Sequence, residues 1–294
     1  MLAIKLIIAV VLGLIAGGVI NALSDDLPLR RTPRLPRYVP DSKKRAAHSR
    51  DEAERATTQL DDEPRPFIAW LGLTAFLFGK RTSPDGVRLN WRYPLTELLT
   101  VALMVITVLA TQDNPEVTNL QLAFWLGYMA LFVLITVIDV EHKLILFVVI
   151  IPSWGFALLE AILTPEMAPP SVRDALIGGV AGFVVFFILY NGGFLFTYVM
   201  GILRGQKINE VAFGYGDVMM ATFSGLILGW QALIFAMFIT VFLGAFGALL
   251  FLLSRALSGS RYSAFTALPY GPYIVAGTWL MLLFSDEVGR LLGG

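Results

Sequence analysis

Runs of apolar residues long enough to cross a bilayer recur from one end of this chain to the other. About 20 such residues match the hydrocarbon thickness. They fall at 2–23, 95–111, 120–138, 144–163, 174–203, 217–229, 231–254 and 269–285. Inside lipid every backbone polar group must be satisfied within the chain, which leaves helices and closed barrels. The pattern predicts an all-α, polytopic membrane bundle of about eight transmembrane helices. Composition agrees: 56% of the 294 residues are hydrophobic and 15% are charged, where soluble domains carry about 25% charge. The run at 217–229 is short, and its junction with the next, at Gly229-Trp230, is left open. The run at 174–203 is long enough to tilt or to extend beyond the membrane. The first run carries one early lysine, Lys5. It is read as a retained helix, because Asn21-Ala22-Leu23-Ser24 is a poor small-x-small cleavage site.

Nearly all the polar character lies between the first two spans. The expected organisation is a first helix at 1–23, a cytoplasmic region at 24–94, and a helical bundle at 95–294. The region opens rich in proline and arginine, from Pro28 to Pro40, then runs through Lys43-Lys44-Arg45 to acidic Asp51-Glu52 and Asp61-Asp62-Glu63. Such a composition buries little core, so loose packing is expected. Phe67 to Phe78 is apolar but too short to span, and is expected at the interface or against the bundle. Lysine and arginine set membrane orientation. Of the 22 such residues, only Lys5, Arg173 and Arg290 fall on the side opposite the polar region. That region is therefore cytoplasmic and both chain ends lie outside. The polybasic stretch 28–45 is read as this orientation signal, beside a weaker reading as a site for anionic lipid. No nucleic-acid recognition pattern accompanies it. The chain has no cysteine and only two histidines, which excludes disulfides and thiolate zinc sites.

Against this background two aspartates stand out. Asp139 ends the apolar run 131–138, and Asp217 closes Gly214-Tyr215-Gly216-Asp217 at the start of another. An ionisable group at a membrane edge is costly and is a functional candidate. The charge asymmetry puts both on the cytoplasmic face. Two carboxyls that meet share a proton: the ionised one deprotonates water and the protonated one polarises a carbonyl. The glycines flanking Tyr215 allow close approach of another chain, so Gly214, Tyr215 and Gly216 are candidate substrate contacts. The competing reading makes Gly-Tyr-Gly-Asp a tight turn with Asp217 as a helix cap. Glu141 and His142 read as solvated interface groups. Glu97 reads as a structural or substrate-positioning acid, and Glu160 as structural.

Several segments together resemble the type IV prepilin peptidases, membrane aspartyl proteases of the GxGD type. Gly17-Gly18-Val19-Ile20-Asn21 is similar to that family's Gly-Ser-Phe-Leu-Asn. Arg92-Tyr93-Pro94-Leu95-Thr96-Glu97-Leu98-Leu99 is similar to its Arg-Tyr-Pro-Leu-x-Glu-Leu-Leu. Ile138-Asp139 and Phe213-Gly214-Tyr215-Gly216-Asp217 resemble the segments of its two catalytic aspartates, and Gly229-Trp230 follows. Leu268-Pro269-Tyr270-Gly271-Pro272-Tyr273 resembles a late Pro-Phe-Gly-Pro-Phe. The resemblance implies catalysis by Asp139 and Asp217 in the bacterial inner membrane, without a cofactor. The substrates would be prepilins or pseudopilins, cut on the cytoplasmic side just before their hydrophobic helix. It also implies S-adenosylmethionine as methyl donor where the new N-terminus is methylated. Three features depart from the pattern. The four cytoplasmic cysteines are missing, with Gly79 to Gly86 in the place of one pair. Leu146-Phe147 stand where Pro-Asp or Pro-Asn is common, and Met219 stands where a lysine is usual. An ion- or proton-coupled transporter, and an inactive scaffold that binds pilin precursors, are the alternative functions.

Overall fold

The computed structural model describes residues 1–39, 64–84, 86–164, 170–204, 214–257 and 269–293. Pro40, Lys43-Lys44-Arg45, Asp51-Glu52, Asp61-Asp62-Glu63, Phe213 and Leu268 lie outside the described residues. Eight α-helices are present among those described: α1 Leu2–Asp26, α2 Gly72–Leu77, α3 Arg92–Thr111, α4 Asn119–His142, α5 Phe147–Leu163, α6 Val172–Arg204, α7 Tyr215–Leu257 and α8 Gly271–Gly293. Five are long and apolar enough to cross a membrane: α1, α3, α4, α6 and α7. The shorter α5 is also apolar. This is a multi-pass, all-α membrane protein.

The open junction at Gly229 resolves into a break within α7. Gly229 sits at φ 70°, ψ 175°, a conformation available in practice only to glycine. The expected sixth and seventh spans are thus the two arms of one interrupted helix. At 1.5 Å per residue the first arm is only about 21 Å long.

Contacts divide the chain into two compact units, 1–112 with 122–137, and 113–121 with 138–294. In the first unit α1 and α3 approach until their backbones nearly touch. A Cβ added to Gly13 would lie 2.7 Å from Val101 Cα, and one on Gly17 would lie 2.6 Å from Glu97 Cα. Small residues one turn apart permit this packing within lipid. Asn21, one turn further along α1, donates its amide to the Tyr93 carbonyl at 3.0 Å and to Glu97 Oε1 at 3.2 Å.

The described part of the polar region is better packed than its composition suggests. Tyr38, Ala69, Ala75, Leu89 and Tyr93 form a small buried cluster, with Phe76 and Val87 against it. Phe67 to Phe78 lies against α3, as expected for a run too short to span. A Cβ on Gly72 would come within 2.8 Å of Pro94 N. The Arg65 guanidinium lies over the Tyr93 ring at 4.3 Å, and its Nε donates to the Arg37 carbonyl at 2.7 Å. Burial pushes the Arg65 pKa down from the ordinary arginine value. Where the resemblance would place cysteines there is a small hairpin: Thr82 pairs with Arg88, and Leu89 N–H reaches the Arg81 carbonyl at 2.9 Å. Backbone pairing and arginine–aromatic contacts thus hold a segment that contains no thiolate.

In the second unit α6 and α7 cross antiparallel through a glycine seam. Gly178 meets Gly225, Gly179 meets Leu226, and Gly182 meets Ala221. No side chain would fit at Gly178 or Gly225. α8 packs on both arms of α7. Thr278 donates to Ser224 Oγ at 2.7 Å on the first arm, and Thr240 on the second arm donates to the Tyr273 carbonyl at 3.3 Å.

Candidate active site

Each of the two aspartates stands at a helix end for a local reason. Asp139 is in the last turn of α4. The chain leaves that helix through Lys143 in the left-handed region, at φ 53°, and Lys143 N–H donates to the Asp139 carbonyl at 2.8 Å. Asp217 is the third residue of α7. Its N–H donates to the Gly214 carbonyl at 3.1 Å, and its Oδ2 accepts from Gly214 N–H at 3.0 Å. This is the back-reaching half of a capping box, with aspartate in the acidic position and Gly214, which has no side chain, at the N-cap. The tight turn read in Gly-Tyr-Gly-Asp is present, but Asp217 lies inside the first helical turn rather than at the N-cap, and the contact to Gly214 occupies one carboxyl oxygen.

Asp139 is held in a parallel way by a residue 132 positions further along. Gly271 N–H, at the start of α8, donates to Asp139 Oδ2 at 3.0 Å. Only glycine fits there, because a Cβ on Gly271 would lie 2.7 Å from that same oxygen. Each carboxyl thus has Oδ2 fixed by a glycine N–H. Among the described residues neither Oδ1 accepts a hydrogen bond. The groups are 5% and 9% exposed. They are close enough for the charge of Asp139 to act on Asp217, and Tyr270, beside Gly271, is also within electrostatic reach of Asp217.

The candidate substrate contacts divide. Gly214 is exposed, and apart from the Asp217 carboxyl a Cβ there would meet almost nothing. Tyr215 is 40% exposed. Gly216 serves internal packing: its Cβ would lie 2.8 Å from Ile145 Cβ, so its small size lets the first turn of α7 close on the 143–146 link. Glu97 belongs to the first unit, where its carboxylate accepts from Gly72 N–H at 2.6 Å, Leu73 N–H at 2.8 Å and the Asn21 amide. It caps α2, and these groups are its hydrogen-bond partners. Glu141 and His142 lie 4.0 Å apart, each about a third exposed.

Two departures from the resemblance acquire a physical description. Met219 is 3% exposed and packed inside, and its carbonyl accepts from Trp154 Nε1 at 3.1 Å, tying α5 to α7. Leu146 caps α5 in an extended conformation without a side-chain hydrogen bond, and Phe147 stacks on Tyr215 at 6.2 Å. The sequence reading missed Gly271 as a donor to Asp139. A backbone N–H has no side-chain signature, and only the pattern around Pro269-Tyr270-Gly271-Pro272 marked the place.

Fold and site together define a multi-pass helical membrane protein with a pair of buried aspartates at the ends of two helices, the charge of Asp139 acting on Asp217. Residues 125–249, which contain both acids, match the type IV leader peptidase family. The chain is 29% identical over 229 residues to a prepilin leader peptidase/N-methyltransferase of Aeromonas hydrophila, covering 76% of this chain and 68% of that one. It is 27% identical over 300 residues to the protein of that name from Stutzerimonas stutzeri, covering 95% and 91%. It is 25% identical over 288 residues to the one from Pseudomonas aeruginosa, covering 96% and 91%. No solved structure matches.

Proposed function

We propose that this protein is an aspartyl endopeptidase that removes the leader of type IV prepilins or pseudopilins at the cytoplasmic edge of a bacterial inner membrane. The observation that carries the reading is the matched holding of Asp139 and Asp217, each with one oxygen fixed by a glycine N–H. The distribution of lysine and arginine supports the orientation.

The pair acts as one titrating unit, with one carboxyl ionised and the other protonated. The ionised member takes a proton from a water whose oxygen adds to the scissile carbonyl carbon. The protonated member gives its proton to the carbonyl oxygen. Collapse of the tetrahedral intermediate breaks the C–N bond: the departing amine takes up a proton from the pair, and a hydroxyl of the intermediate returns one to it. Gly214 N–H and Gly271 N–H hold each carboxyl in place through the cycle. The exposed backbone at Gly214 is where an extended substrate can lie beside Asp217.

S-adenosylmethionine, the methyl donor implied for relatives that also methylate, finds no fit among the described residues of the first unit. The acids that could bind a ribose are engaged: Asp25 by Arg92 and Tyr93, Asp26 by Arg37, and Glu97 by backbone N–H groups. We assign no methyl-transfer step to these residues.

Purified protein reconstituted with a prepilin should release the leader, read as a mass decrease of the substrate. Asp139→Asn and Asp217→Asn should each reduce cleavage at least ~10²–10⁴-fold while the protein stays folded. Full processing by either variant overturns the assignment.

A further inference from the structure

Two carboxyls cut a chain but do not choose where it is cut. On the Asp217 side, the second unit carries a continuous ladder of aromatic rings. Phe183 and Phe187 stack at 5.4 Å, and Phe187 and Tyr190 follow at 6.4 Å on α6. Tyr190 meets Tyr215 edge-on at 5.9 Å, and Tyr215 stacks on Phe147 at 6.2 Å. The rings come from three helices, yet Phe187, Tyr215 and Phe147 remain 40%, 40% and 55% exposed.

The depth of the ladder follows from the helix register. Gly178 faces Gly225 and Gly182 faces Ala221, so each step along α6 moves one step back along α7. Continued outward, this register sets Phe187 level with Gly216 and Phe183 level with Met220. The ladder therefore starts at the membrane edge, at the first residues of α5 and α7, and descends about one turn below the level of Asp217. A lysine or arginine head drawn to that depth would leave water at a high cost, whereas an apolar side chain would lose water favourably. An extended peptide advances about 3.3 Å per residue. Tyr215, two residues before Asp217, thus stands within one or two substrate residues of the bond being cut.

We propose that Phe147, Tyr215, Tyr190, Phe187 and Phe183 form the binding surface for the apolar side chain next to the scissile bond, on the side of the substrate that enters the membrane. This rests on the peptidase reading. Phe147 is then a specificity residue, placed where the wider pattern has a polar one.

The test uses the reconstituted full chain and prepilins carrying phenylalanine, alanine or lysine immediately after the scissile bond. The wild type should cut the phenylalanine substrate on the order of 10-fold faster than the alanine one, the size of effect one buried ring gives. Phe187→Ala and Tyr190→Ala should bring that ratio close to one, through KM more than kcat. Phe187→Leu should retain part of the preference. An unchanged ratio in these variants overturns the proposal and leaves the ladder as a lipid-facing belt. Independently of cleavage, a photo-crosslinking side chain at the same substrate position, presented to Asp139→Asn protein, should label 147, 187–190 or 215. No labelling, or labelling confined to other segments, also overturns it. If the wild type cuts no prepilin while the crosslink still forms on the ladder, the peptidase reading fails and the binding surface stands.

Discussion

Asp26 and Glu97 in the first unit, and Asp139 and Asp217 in the second, are all withdrawn from solvent, at 2%, 0%, 5% and 9% exposure. The first pair is saturated. Asp26 is paired with Arg37 and also accepts from Arg34 N–H at 2.9 Å, and Glu97 accepts three hydrogen bonds. Among the described residues the second pair is held by one N–H each, and Lys143, on the exposed rim, is the cation acting on Asp139. Burial of a carboxylate is therefore a poor guide to its use in this molecule, and the set of partners is the better one. A fully partnered acid ties helices together. An acid with a free oxygen beside another acid is available to a substrate or a water.

The contrast can be broken at either end. The largest effect is expected from Arg37→Ala, which leaves Asp26 buried without its ion pair and should lower stability by about 3–5 kcal/mol, read as a shift in detergent denaturation. Glu97→Ala should follow at about 2–4 kcal/mol, because the N–H groups of Gly72 and Leu73 and the Asn21 amide lose their acceptor. If either change proves neutral for stability while abolishing cleavage, the first unit is not the structural half. Gly271→Ala should act the other way. Its Cβ would displace Asp139, and a misplacement of about 1 Å costs about 10²-fold in rate, measured as kcat with little change in Tm. A smaller effect is expected at Thr278→Val, which removes the bond to Ser224 between α7 and α8 and should cost about 0.5–1.5 kcal/mol, with kcat preserved.

The sequence was most informative where chemistry and periodicity coincide. The apolar runs marked the helices because lipid leaves the backbone few choices, and the two aspartates were conspicuous because charge is scarce around them. What escaped was carried by backbone. Gly271 serves Asp139 through its N–H across 132 residues, and Glu97 meets the N–H groups of a short helix that its own segment does not announce. Gly229-Trp230 was marked as a junction between two apolar runs, but the backbone conformation that breaks the helix there was not. The left-handed backbone of Gly229 appears only once Pro170 and Asp174 pack beside it. The small cluster around Tyr38 and Leu89 escaped for another reason: its residues are scattered through a polar segment and form no periodic face.

The contact between Asp217 and Gly214 places the proposed chemistry in the most easily frayed part of a helix. First turns open locally at a lower free energy than the helix interior, and here the opening would release Gly214 N–H and swing away the carboxyl proposed to react. The working lifetime of the site is then set by one turn of α7 rather than by the whole bundle. Heat should silence the enzyme below the temperature at which the protein melts.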